Sequence, residues 1–475
     1  MTPPPETVPL FGPLFTTDRI RDIFSARHTL ERMLDFESAL GRALAALQLA
    51  PASAARSIES QCNANLFDID ALARDAAMAG NVAIPMVKAL TSLVAKVDEG
   101  AASFVHWGAT SQDAIDTGLV LQLREALEVL EQDLAGLSAV LKKLAETHVS
   151  TILAGRTWLQ QGPPTTLGLK IAGWFSAIER HRARIAGTRT RVCVIQFGGA
   201  VGTLAALGDR GLDVARALAT ELKLSLPALP WHAHRDRLAE VATVLGLLTG
   251  SLGKIARDVS LMAQTEVDEA LEPAAVGRGG SSTMPHKRNP VSCAVVLAAA
   301  MRIPPLVSTM LSAMVQEHER GLGGWHAEWE TLPEICALAA GAVAHSRQML
   351  DGLEVHANEM ARNLDVTHGL ILAEAVVFAL ARHVGKKSAQ DAVELACRRA
   401  RENHRPLKDV LLEMPEVQAH LPAEEITRLL DPANYLGFAR QMTQMALSAS
   451  DPFAVQHHDR QDHDTHDKNN PRTES

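Results

Sequence analysis

Between Glu272 and Pro290 the chain reads EPAAVGRGGSSTMPHKRNP, which places glycines, hydroxyls and cations in one short run. Gly277, Gly279 and Gly280 let a backbone adopt positive φ and approach a ligand closely. Ser281 and Ser282 follow, then Pro285 and the basic side chains His286, Lys287 and Arg288. Asn289 stands before Pro290 and a long apolar run, the order expected of a helix N-cap followed by proline at the first helical position. The spacing predicts a flexible loop that carries hydroxyls and cations to the positive end of a helix, where carboxylates or phosphates are favoured. A plainer role, a solvated loop with a good cap, satisfies the same residues, and chemistry alone leaves both open. No Ser or Thr follows Lys287, so the phosphate-loop pattern is absent and a nucleotide triphosphatase is not indicated.

Two further groups carry candidate chemistry. Thr110-Ser111-Gln112-Asp113 has the order of a capping box at the start of a long helix. His318, Arg320 and His326 sit in the glycine-rich stretch HERGLGGWHAEWETLPE, where they suit either anion binding or a cap with surface charge. Phe197-Gly198-Gly199-Ala200-Val201-Gly202-Thr203 is not a G-x-G-x-x-G and fits any helix–helix turn. After Phe453 the chain turns polar and aperiodic, which predicts disorder. The spacing of its four histidines matches no helix face and no zinc pattern.

Gly280-Ser281-Ser282-Thr283-Met284-Pro285-His286-Lys287-Arg288-Asn289 fits G-S-S-x-M-P-x-K-x-N at every fixed position, and so resembles the defining motif of the fumarase/aspartase superfamily. The resemblance implies homotetrameric, cofactor-free enzymes that make or break a bond β to a carboxylate. It implies Ser281 as the proton-transfer residue, and a T-S-x-D turn at Thr110-Ser111 that holds a substrate carboxylate with His106 just upstream. Gly155-Arg156-Thr157-Trp158-Leu159-Gln160 is similar to that superfamily's G-R-T-H-x-Q, but Trp158 stands where its adenylosuccinate and argininosuccinate lyases carry histidine. Gly80-Asn81-Val82 likewise lacks a second histidine. An indole only donates, so it cannot relay a proton to a nitrogen leaving group.

Both departures are similar to the carboxymuconate-lactonising branch of the superfamily, over about residues 10–450. So is 318–334, where Gly324, Trp325 and Trp329 replace the serines and second arginine of the lyase branches. This resemblance implies an intramolecular lyase, a cycloisomerase of aromatic catabolism, acting on a small tricarboxylate without metal or redox cofactor. It implies a catalytic set of Ser281, Lys287, Asn289 and His106. The implied substrate contacts are Thr110, Ser111, Arg156, Thr157, Trp158, Gln160, Ser282, Met284, His318, Arg320 and Trp325, in sites formed between subunits. The alternative is an adenylosuccinate- or argininosuccinate-type lyase releasing fumarate. A non-catalytic structural protein is a third reading, which the joint presence of Ser281, Lys287 and Asn289 disfavours.

The elements that must position these residues are helical. Apolar residues make up 47% of the 475-residue chain while aromatics are only 4%, a balance rich in Ala and Leu that favours helices over sheets. Apolar positions between Ile115 and Leu144, and again between Leu238 and Met262, alternate by threes and fours, as in packed-helix seams. Together with 165–187, 290–317 and 331–351 they predict about five long helices, with a kink at Pro304-Pro305 in the fourth. The expectation is an all-α, fumarase/aspartase-like fold: an N-terminal helical domain over 1–109, a central long-helix bundle over 110–352, a small helical domain over 353–452 and a disordered tail over 453–475. A bundle so long cannot cover its own apolar faces, so assembly into a homotetramer is expected.

The net charge of −9, without a basic arm, argues against nucleic acid as a partner. Five scattered cysteines without a C-x-x-C pair read as buried thiols in a reducing compartment. No secretory signal is visible at the N-terminus. Residues 291–315 are long enough to span a bilayer, yet Arg302 and the proline pair favour a fully buried bundle helix, and a cytoplasmic protein, over a membrane span.

Overall fold

The computed structural model describes residues 10–274, 279–280, 283–284, 286–450 and 452–453. Ser281 and Ser282 lie outside the described residues, as do Gly277, Pro285 and the tail from 454 onward.

The fold is all-α, organised on five long helices and one earlier helix that packs against them. Helix α1 (Ala26–Ala46) is capped by Ser25, whose hydroxyl accepts from the His28 amide. Helix α2 (Ser111–Thr147) is the longest element, and its Leu119, Leu123, Leu127, Leu130, Leu134, Leu137 and Leu141 are buried. Helix α3 (Leu167–Val192) returns beside it, with Thr166 as N-cap. Helix α4 (Asp236–Met262) buries the predicted series from Leu238 to Met262. Helices α5 (Val291–Ala313) and α6 (Gly324–Leu350) complete the bundle, and α5 remains one helix across Pro304-Pro305. Contacts link α2 to α3, α3 to α4, α4 to α5 and α5 to α6. Gly253 lets α4 and α5 close together, since a Cβ there would come within 2.8 Å of the Ala300 methyl.

The core is continuous from Ile20 to Met360, whereas Val376, Leu380, Val393, Leu407, Leu411 and Ile426 form a separate cluster among the short C-terminal helices. Helix Ala439–Ser448 packs back on α3.

Two features depart from the sequence expectation. A β-hairpin, β1 (Ile152–Thr157) and β2 (Gln160–Thr166), joins α2 to α3. Helix α5 is not fully buried: only 33% of its most apolar window is covered within the chain, and Met301 is 69% exposed. By length and composition α4 and α5 are each apolar enough to cross a membrane.

Candidate active site

Helix direction sorts the predicted residues into two groups. Helix α2 has 37 residues, so its ends stand about 55 Å apart at 1.5 Å per residue. His106, Thr110 and Ser111 lie at its N-terminal end, and the hairpin carrying Arg156, Thr157, Trp158 and Gln160 follows its C-terminal end. Helix α4 begins beside the first group, since Arg235 pairs with Asp116, and runs to the second, since Glu269 beyond its end pairs with Arg156. Helix α5 leads back, because Arg320 donates to the Thr110 hydroxyl at 3.1 Å and to the Ala200 carbonyl at 3.1 Å. The first end therefore holds His106, Thr110, Ser111, His318, Arg320 and Trp325. The far end holds Arg156 to Gln160 with Met284, Lys287 and Asn289. Among the described residues no hydrogen bond or ion pair joins the two groups.

At the first end, the capping box forms: the Thr110 amide donates to Asp113 at 3.0 Å. Asp113 is fully buried and also accepts from the Gly198 and Gly199 amides and from His232 Nε2 at 2.7 Å. This gives the Phe197–Thr203 stretch a physical role. Gly199 has φ of +69°, and a Cβ on Gly198 would strike Pro230 at 2.7 Å, so both amides reach the carboxylate only as glycines.

His106, at φ of +59°, turns Nδ1 to the buried carboxylate of Glu37 at 2.5 Å. Burial works against its charge, but the negative charge and hydrogen bond of Glu37 outweigh it, with Asp113 adding a smaller pull. The ring therefore holds its proton above the ordinary imidazole range. Arg320 Nε is buried and has no partner among the described residues. His318 is exposed, also at positive φ, and His326 Nε2 donates to the Gly80 carbonyl at 3.1 Å. Asn81 Oδ1 accepts from the Ala83 and Ile84 amides at the start of the helix Ala83–Val97.

Trp325 is placed differently from a ligand contact. It is 3% exposed, its indole N–H donates to Asp116 at 3.0 Å, and its ring meets Trp329 edge-on. It belongs to the wall of a buried charge cluster in which Arg235 lies between Asp116 and Glu328.

At the far end, Arg156 is held by Glu269 in a two-pronged pair at 2.8 and 2.7 Å, and Asn363 donates to the same carboxylate at 3.0 Å. Trp158 and Leu159 form the two-residue hairpin tip, both at positive φ, and Trp158 is 98% exposed. A two-residue turn of this hand ordinarily selects Asn or Gly. Two bulky side chains there mark a strained tip, of the kind found where function over-determines a backbone.

Asn289 does not cap α5. Pro290 occupies the cap position, and the Ser292 and Cys293 amides donate to the Glu272 carboxylate at 3.1 and 2.8 Å. The carboxylate that the helix N-terminus favours is thus supplied by the chain itself. Arg288 is paired with Glu354 at 2.7 Å, whereas Lys287 is exposed and makes no ion pair among the described residues. Lys287, Asn289, Gly279 and Gly280 line a cavity of about 130 Å³. Among the described residues no group of three or more His, Cys, Asp or Glu could hold a metal ion.

Sequence reasoning missed Glu37, Glu269 and Glu272. Each is far in sequence from its partner, and only E-x-x-E-P at 269–273 hinted that acids precede the loop.

Residues 14–304 match the family described as Lyase, and residues 369–446 match the one described as adenylosuccinate lyase C-terminus. The chain is 58% identical to a 3-carboxy-cis,cis-muconate cycloisomerase of Pseudomonas aeruginosa, covering 92% of this chain and 96% of that protein. It is 54% identical to one of Pseudomonas putida, over 88% of this chain and 99% of that protein. The crystal structure of 3-carboxy-cis,cis-muconate lactonizing enzyme from Pseudomonas putida superposes with a TM-score of 0.88 at 53% identity, covering 92% of this chain and 98% of that one.

Proposed function

The chain belongs to the lyase family of the fumarase/aspartase superfamily, and on that premise we propose that it interconverts 3-carboxy-cis,cis-muconate and 4-carboxymuconolactone. The observation that carries this reading is near-full-length similarity to cycloisomerases in both sequence and structure. It favours cycloisomerisation over fumarate release, and the match to the adenylosuccinate lyase C-terminus family is confined to residues 369–446.

In lactonisation a substrate carboxylate oxygen bonds to one carbon of a C=C bond. The π pair moves toward a second carboxylate as an aci-carboxylate, and the adjacent carbon then takes a proton, so atoms balance without a co-reactant. The protein must anchor three carboxylates, stabilise the developing dianion and supply one proton. Lys287, which makes no ion pair among the described residues, is the cation we assign at the far end, Arg320 and His106 are those at the other, and Ser281 is the proposed proton donor. Because Lys287 stands at the opposite end of the bundle from Arg320 and His106, a working site draws them from different subunits. The homotetramer proposed here covers the apolar face of α5 and brings the two ends together. Of the five cysteines only Cys293 and Cys336 are buried, against the expectation for all five, while Cys62, Cys193 and Cys397 are half-buried; the lack of a C-x-x-C pair supports a cytoplasmic location.

The direct test follows the ultraviolet absorbance of the conjugated diene of 3-carboxymuconate. Loss of the diene without fumarate release is the expected outcome. An unchanged diene, with fumarate released from adenylosuccinate or argininosuccinate, would overturn the proposal.

A further inference from the structure

Glu37 is a carboxylate placed where the fold alone has no use for one. It lies on α1 among Met33, Leu34, Phe36 and Leu40, all buried, and its side chain is fully buried. A buried carboxylate is costly unless paired, and a well-packed apolar pair in its place is often no less stable. Among the described residues its one hydrogen-bond partner is His106, through Oε1, while Oε2 has none. His106 reaches it with a left-handed backbone that a bulky residue adopts at a cost. Nδ1 faces inward, so Nε2 lies across the ring from Glu37, and no described residue bonds it. Thr110, with Arg320 on its hydroxyl, follows four residues later at the start of α2.

We propose that Glu37 is a positioning residue: it fixes the tautomer, tilt and charge of His106 so that Nε2–H is presented to a substrate carboxylate. The proposal rests on the tricarboxylate reading above. Two other titratable groups face the pair. Asp113, on α2, acts in the same direction on His106 and is itself committed to His232 and the Gly198 and Gly199 amides. Cys62, after the helix Ala52–Gln61, faces Glu37; burial, and then the Glu37 charge, push its thiol up, so it stays neutral and does not compete for the carboxylate. The sign follows. With Glu37 in place the imidazolium persists as pH rises past the ordinary histidine value and is lost only above it. With a neutral partner, burial dominates and the ring loses its proton at lower pH.

The variant to compare is Glu37→Gln, which keeps the shape and an acceptor but removes the charge. Substrate carboxylates stay ionised from about pH 6 upward, so kcat/KM against pH reports the free enzyme. Expected is a basic limb that moves down by about one pH unit or more in Glu37→Gln, with about a tenfold loss at pH 8 that narrows toward pH 6. His106→Gln should abolish the limb, and Glu37→Gln added to it should cost nothing further. An equal loss at every pH, or an undiminished loss in the His106→Gln background, would overturn the proposal and leave Glu37 a packing residue. A second readout needs no turnover. Diethyl pyrocarbonate attacks only neutral imidazole, so modification of His106, read by peptide mass spectrometry, should begin at higher pH in the wild type than in Glu37→Gln. Onset at or below the ordinary histidine range in the wild type overturns the proposal even if Glu37→Gln fails to fold. A wild type that leaves 3-carboxymuconate unchanged but shows the late onset sinks the substrate reading and sustains the pair.

Discussion

Lys287 gains weight from what its neighbours already do. Arg288 is held by Glu354, and the amides opening α5 are satisfied by Glu272, so neither is free to meet charge that develops on a substrate. On the proposed function, Lys287 is the cation assigned to that charge, and proton delivery is assigned to Ser281. A free serine hydroxyl is a poor base, so the reverse reaction requires a nearby cation to stabilise its alkoxide. Ser281→Ala should lower kcat by about a hundredfold or more while leaving product affinity nearly unchanged, whereas Lys287→Met should damage both. The comparison of kcat with product Kd for the two variants checks this. Near-normal turnover in Ser281→Ala would move the proton donor to His106 or His318. Trp158 complements this division, since an indole at a strained and exposed tip offers surface and one N–H but no proton relay.

At the scale of elements, three helices of the bundle are fastened by Arg235. Its guanidinium binds Asp116 of α2 at 2.6 and 3.0 Å and Glu328 of α6 at 2.9 Å from the cap of α4, with the Trp231 ring 4.9 Å away. Burial opposes the guanidinium charge, yet the two carboxylates more than offset it, while burial raises the protonation range of Glu328 itself. Arg235→Met would leave two buried carboxylates without a cation and should cost about 3–5 kcal/mol, read as a lower urea midpoint at fixed protein concentration. Replacing Arg235, Asp116 and Glu328 together with apolar residues of matched size should restore most of the midpoint. None of this cluster was legible in the sequence, because Asp116 and Glu328 lie 119 and 93 residues from Arg235 and nothing local links them. The helices were legible, since a seam such as Leu119 to Leu141 is written in local periodicity. The T-S-x-D box was legible too, because a cap joins residues three apart. The hairpin at 152–166 was not, since Trp158 and Leu159 defy the turn chemistry that normally announces one. Asn289 misled for the opposite reason: a good cap sequence was displaced by Glu272, a tertiary partner.

For the whole molecule, the decisive geometry is a bundle about 55 Å long with half of the proposed site at each end. One chain cannot bring His106 to Lys287, and α5 exposes Met301 and Leu311 along a face that a second chain would cover. Sedimentation at micromolar concentration should give a tetramer, and a monomer retaining full activity would dismiss the shared site. A sharper measurement mixes two lesions from opposite ends. His106→Gln and Lys287→Met chains should each be nearly inactive alone. If each site takes its His106 end from one chain and its Lys287 end from another, random reassembly leaves about one quarter of the sites with neither lesion. Unfolding and refolding the two variants together should therefore recover about a quarter of wild-type activity, whereas refolding them separately and then mixing should recover none. If the co-refolded mixture stays inactive while sedimenting as a mixed tetramer, both ends must serve the site from a single chain, which the length of α2 forbids without a rearrangement of the bundle.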